Sequence, residues 1–141
     1  NKGYNFGYQN FSNLQISSLI KLCRSLKKIY KIKRENFLGH SDIAPLRKAD
    51  PGEKFPWKKL SKFKIGKWYL KVNYEIDANP KKLEVLFLKN LQKFGFRYFS
   101  TSKKNSKNKM IIKAFQRHYL PNRITGKIDQ KTYKISHFLT S

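Results

Sequence analysis

The sequence is short of acidic residues, arginine, cysteine and long apolar runs. Eight Asp and Glu stand against 32 Lys and Arg, for a formal net charge of +24. A surface this cationic suits polyanions and excludes acidic-surface function classes. Only six of the 32 basic residues are Arg, so the bidentate fork that reads phosphate is scarce. The bias toward Lys, Asn, Ile, Phe and Tyr is also what AT-rich coding imposes on any protein. No helix-turn-helix or aromatic RNA-reading motif accompanies the charge, and no nucleic-acid partner is expected. Cys23 is the single cysteine, which rules out an intrachain disulfide. It falls in an apolar helical stripe, where a buried, inert thiol is expected. No apolar run approaches the ~20 residues of a membrane-spanning helix, so no transmembrane segment is expected. No basic-then-apolar signal segment is visible.

What is present organises into helices and one irregular run. Ser12 followed by Gln15 predicts a capping box, and Phe11 with Ile16 a hydrophobic staple. Ile16, Leu19, Ile20, Cys23, Leu26 and Tyr30 recur at helical spacing. The helix they form should pack one face against a sheet and turn a basic face to solvent. From Asn36 to Pro56 the periodicity stops and Gly, Pro and Asp punctuate the chain, with Phe37-Leu38 as the end of a short strand. A short helix is expected near Trp57–Leu60, then a crossing loop. Leu83, Leu86, Phe87, Leu91 and Phe94 predict an amphipathic helix ended by Gly95. Residues 100–109 read as a polar loop. Met110, Ile111, Ala114 and Phe115 open a further helix that stops near Pro121. After a turn at Gly126, Asp129 caps a last helix carrying Thr132, Ile135, Phe138 and Leu139.

The irregular run carries the chemistry. Imidazole and carboxylate are zinc ligands, and a catalytic zinc keeps an open position for water. His40 and Asp50 lie ten residues apart on a loop shaped by Gly and Pro. Lys48 can present an ammonium where charge develops on a carbonyl under attack. Asp42 is either a further ligand or a loop-capping residue. One His and one Asp on a loop do not by themselves specify a metal site.

Gly39-His40-Ser41-Asp42-Ile43-Ala44-Pro45, then Arg47-Lys48-Ala49-Asp50-Pro51-Gly52 and Phe55-Pro56-Trp57, resembles the signature of the zinc-dependent N-acetylmuramoyl-L-alanine amidases of the AmpD/AmiD type. The resemblance is unbroken over about twenty residues. It implies Zn2+ as cofactor, His40 and Asp50 as two of its ligands, and Lys48 as the catalytic lysine that stabilises the transition state. Arg47 and Trp57 are candidate substrate-binding residues. The first zinc-binding His and the catalytic Glu of the family precede this segment and would lie upstream of Asn1. The expectation is therefore the C-terminal portion of a longer amidase, inactive alone. His118 and His137, the other two histidines, are not expected to complete the metal site.

Ala114-Phe115-Gln116, with Gly126-Lys127-Ile128-Asp129 and Thr132, resembles the three-helix peptidoglycan-binding module. Phe94 and Phe115 are expected in its core, and Gln116, Arg117 and Asp129 in structural hydrogen bonds and caps. Tyr119, Arg123 and the lysines near Lys104 are candidates for a glycan-contacting groove. The resemblance as a whole implies an α/β fold, with a mixed sheet and flanking helices, over residues 1–73. A linker over 74–81 and a small all-α three-helix bundle over 82–141 follow. The implied activity is hydrolysis of the amide between N-acetylmuramic acid and L-alanine, in peptidoglycan or a soluble muropeptide. The alternative is a non-catalytic wall-binding protein derived from a truncated amidase. A monomer in the bacterial cell envelope or periplasm is expected, with the cytoplasm as the other possible location.

Overall fold

The computed structural model describes residues 9–70, 80–97, 99, 101 and 106–141. Among these the regular structure is helical throughout: α1 (Asn13–Tyr30), α2 (His40–Ile43), α3 (Trp57–Ser61), α4 (Pro80–Phe94), α5 (Ser106–Tyr119) and α6 (Gln130–Thr140), with a 3₁₀ turn at Arg34–Asn36. The expected mixed sheet is thus overturned among the described residues. Phe37 is extended, but a strand also needs a neighbour to exchange hydrogen bonds with. Here those bonds close locally instead. Phe37 N–H returns to the Arg34 carbonyl at 3.4 Å, and that carbonyl also accepts from Gly66 N–H at 3.0 Å.

Helix α1 starts where its capping chemistry dictates. The Ser12 hydroxyl accepts from Gln15 N–H, and the Gln15 side chain accepts from Ser12 N–H at 2.8 Å. Its buried face, Ile16, Ile20 and Cys23, packs on Trp57, Leu60 and Ile65. A turn of loop and a five-residue helix thus take the place expected for a sheet. Burial pushes the Cys23 thiol above its ordinary pKa, which keeps it protonated and unreactive. The opposite face is less basic than expected, because Leu14, Leu22 and Ile29 are all exposed there. The Lys27 ammonium donates to the Lys64 carbonyl at 3.0 Å and closes the C-terminal end onto the turn after α3.

Helices α4, α5 and α6 share one core of Leu83, Phe87, Leu91, Ile111, Phe115, Ile135 and their neighbours. Gly95, at φ +114, ends α4, a conformation that favours glycine. Asp129 caps α6, its carboxylate accepting from Thr132 N–H at 2.7 Å. Gln116 is fully buried and satisfied: its amide donates to the Lys127 carbonyl at 2.8 Å and accepts from Gly126 N–H at 2.8 Å. Helix α5 begins four residues earlier than the apolar pattern suggests, at Ser106. Residues 71–79, which include most of the expected linker, and Lys104 lie outside the described residues; Pro80 already belongs to α4.

The two cores meet through aromatic residues. Trp68 packs against both of them. Lys67 donates to the Leu139 carbonyl at 3.3 Å and sits over the Phe94 ring.

Candidate functional site

Helix α2 is one turn long and opens on Gly39, which is caged. A Cβ there would lie 2.7 Å from Cδ of Pro51 and 3.2 Å from both Asp42 and Trp57. Only glycine lets the chain enter α2 with Pro51 so close. Ser41 N–H donates to the Asp50 carbonyl at 2.9 Å, pinning the far end of the loop to the helix start. The result brings His40 and Asp50 together, Nδ1 to Oδ2 at 3.1 Å, with both side chains at least half exposed.

That separation can be tested against a metal. Two ligand atoms at ~2.0–2.1 Å from one tetrahedral zinc are roughly 3.3–3.4 Å apart. The observed pair is close to this, with one nitrogen and one oxygen donor of the kind zinc accepts. The same distance is a hydrogen bond when Nδ1 carries a proton. Among the described residues no group of three His, Cys, Asp or Glu converges. Two donors therefore fit, and they are the two the loop brings together. Lys48 and Arg47 are exposed on the turn that follows α2, their N–H groups donating to the Ala44 carbonyl at 2.9 and 3.0 Å.

Asp42 does not face His40. It is buried, and its Oδ2 accepts from Gly39 N–H at 2.7 Å, the capping role. The same carboxylate meets Nδ1 of His118, from the end of α5, at 2.9 and 3.0 Å. Both side chains are almost completely buried. The His118 ring stacks on Trp57 at 4.1 Å and 11°, and on Tyr119 at 4.0 Å. Trp57 is therefore a buried wall of this cluster, and its ring face is occupied by His118. Tyr119, expected in a glycan groove, is also buried. Burial first, and the Asp42 charge second, hold its phenol well above the ordinary range. His137 is exposed on α6. Sequence reasoning set His118 aside, and no local signal would have recovered it, because its partner is 76 residues away.

Residues 3–53 match the family described as N-acetylmuramoyl-L-alanine amidase. The chain is homologous to these amidases. It is 34% identical over 134 residues to the N-acetylmuramoyl-L-alanine amidase AmiD of Escherichia coli, an alignment covering 92% of this chain and 48% of AmiD. The 1,6-anhydro-N-acetylmuramyl-L-alanine amidase AmpD of Haemophilus influenzae is 42% identical over 52 residues, covering 36% of this chain and 28% of AmpD. The structure of E. coli AmiD in complex with the substrate anhydro-N-acetylmuramic acid-L-Ala-D-gamma-Glu-L-Lys superposes with a TM-score of 0.78 at 31% identity, over 94% of this chain and 53% of that one. AmpDH3 of Pseudomonas aeruginosa gives 0.78 at 27% identity, over 94% of this chain and 54% of that one. The chain thus spans about half the length of AmiD.

Proposed function

We propose that this chain carries two zinc ligands and a catalytic lysine of an amidase that hydrolyses the bond between N-acetylmuramic acid and L-alanine in peptidoglycan or a muropeptide. The observation that carries the reading is the 3.1 Å approach of His40 to Asp50, within the segment that matches the amidase family. His40 and Asp50 would hold the ion. When bound, zinc acts as a Lewis acid toward the scissile carbonyl and makes water nucleophilic near neutral pH. Lys48, two residues before Asp50, is suited to balance negative charge growing on the carbonyl oxygen. Arg47, exposed beside it, is suited to a carboxylate of the stem peptide. Trp57 supports the loop from inside. Helices α4–α6 would hold the chain on its polymer and raise the local substrate concentration, which favours a place in the cell envelope.

The test couples zinc binding to release of stem peptide from an anhydro-muropeptide. Both are measured on an amidase that carries this chain together with the family's upstream His and Glu, and on its variants, with zinc supplied. His40→Ala and Asp50→Ala should each remove zinc and release together. Lys48→Ala should leave zinc in place and slow release by about 100-fold, the scale of one lost oxyanion-stabilising group. Stoichiometric zinc retained by both ligand variants would overturn the assignment. Muropeptide binding without release would favour the wall-binding alternative.

A further inference from the structure

Helix α2 is one turn long, and a single turn does not hold its own direction in water. What orients it must come from outside the loop, and helix α5 touches it there. The contact is made by His118. A carboxylate only accepts hydrogen bonds, so Nδ1 of His118 carries the proton that it places between the two oxygens of Asp42, at 3.0 and 2.9 Å. The other ring nitrogen, Nε2, is buried without a hydrogen-bond partner. Buried polar atoms are normally paired, so Nδ1 is the only polar hold on this ring.

Asp42 passes that hold to the loop. Its Oδ2 also accepts from Gly39 N–H at 2.7 Å, fixing the residue that precedes His40. A carboxylate free to turn about its side-chain bonds would release that N–H, whereas one clamped by His118 keeps it. The same imidazole backs a second wall. It stacks on Trp57 at 4.1 Å and 11°, and the Trp57 ring would lie 3.2 Å from a Cβ at Gly39. Of the three groups that cage Gly39, both Asp42 and Trp57 therefore rest on His118, and the third is Pro51, directly after Asp50.

We infer that His118 is a positioning residue for the His40–Asp50 pair. By clamping Asp42 and backing Trp57 it fixes Gly39, and with it the direction in which His40 leaves the helix. The bundle of α4–α6 is then part of the support of the loop as well as a hold on the polymer. Groups that orient a metal ligand without touching the metal typically carry about 10–100-fold in metal affinity. The effect on zinc rests on the reading proposed above, whereas the fixing of the loop does not.

Two substitutions separate the hydrogen bond from the packing. His118→Phe keeps a flat ring between Trp57 and Tyr119 and loses the donor. His118→Asn keeps a donor near the Nδ1 position and loses the ring. Hydrogen exchange in the zinc-free chain reads the loop through the amides of Gly39 and Ser41, which donate to Asp42 and to the Asp50 carbonyl. The amide of Ile135, buried inside α6, reads global unfolding. His118→Phe should speed exchange at Gly39 and Ser41 by at least about tenfold more than at Ile135, the low end of the range for such groups. His118→Asn should remove most of that difference. Ile111→Val, a core change two turns earlier in α5, should lower stability without opening the loop ahead of Ile135. If the larger ring does not fold, His118→Leu lacks the donor, needs less room and carries the same expectation.

Zinc affinity, measured on an amidase that carries this chain together with the family's upstream His and Glu, should fall about tenfold in His118→Phe. It should recover in His118→Asn and hold in Ile111→Val. Loop amides that follow Ile135 in every variant would overturn the inference, leaving His118 a packing residue. Equal losses in His118→Phe and His118→Asn would also overturn it, because the donor would then be irrelevant. So would a loop opened by His118→Phe with zinc affinity unchanged. Zinc retained by both His40→Ala and Asp50→Ala would instead sink the ligand assignment and leave the exchange result standing.

Discussion

At Gly39 there is no room for a methyl group. Gly39→Ala must move Pro51, and Pro51 follows Asp50 directly, so the strain reaches the carboxylate facing His40. We expect a loss of about 1–3 kcal/mol in denaturant unfolding, the range for overpacking a filled site, together with weaker zinc binding. Unchanged stability would mean that the Pro51 ring shifts freely. Tyr119 makes a second residue-scale prediction. Its folded-state pKa is raised, by burial and then by Asp42, so above pH 10 or so the folded state holds a proton that the unfolded state has released. Its contribution is therefore intact below the unfolded value and is lost as pH rises toward the folded one. Tyr119→Phe should flatten the alkaline limb of a stability–pH curve, and an unaltered limb would show that another group governs it.

Helix ends were the most legible elements. The Ser12–Gln15 box, the Gly95 stop and the Asp129 cap are local, and each depends on side chains within a few residues. Ser12→Ala should cost about 1 kcal/mol, read as a lowered unfolding midpoint with unchanged slope. A cost near zero would show that α1 draws its register from Trp57, Leu60 and Ile65 alone. The first turn of α5 was hidden for a related reason. Ser106, Lys107 and Lys109 add no apolar periodicity, although Lys is a good helix former. The sheet came from family resemblance and not from any alternating pattern in residues 9–70. At the site, His40, Asp50 and Lys48 stood out only through the family resemblance of the loop, since one His and one Asp at that spacing do not specify a site. The cluster of Asp42, His118 and Trp57 was not, because chain distance hides a contact that only folding creates.

For the whole molecule, charge is the dominant unknown made measurable. With +24 at neutral pH, self-repulsion works against the compact state, and salt screens it over roughly 8–10 Å at physiological ionic strength. The thermal midpoint should rise by a few degrees as sodium chloride is increased from low to physiological concentration. A midpoint that falls instead would show that local ion pairs outweigh the global repulsion. The buried pair between Asp42 and His118 has a different reach. Losing either partner leaves the other buried without its hydrogen bond, a change that costs about 1–3 kcal/mol. Single changes at these positions should therefore be poorly tolerated, whereas paired replacement by two apolar side chains could pass. That contact, together with those of Trp57, Lys67 and Trp68, ties a loop to a helix bundle far apart in the chain, so a change on one side must be met by the other.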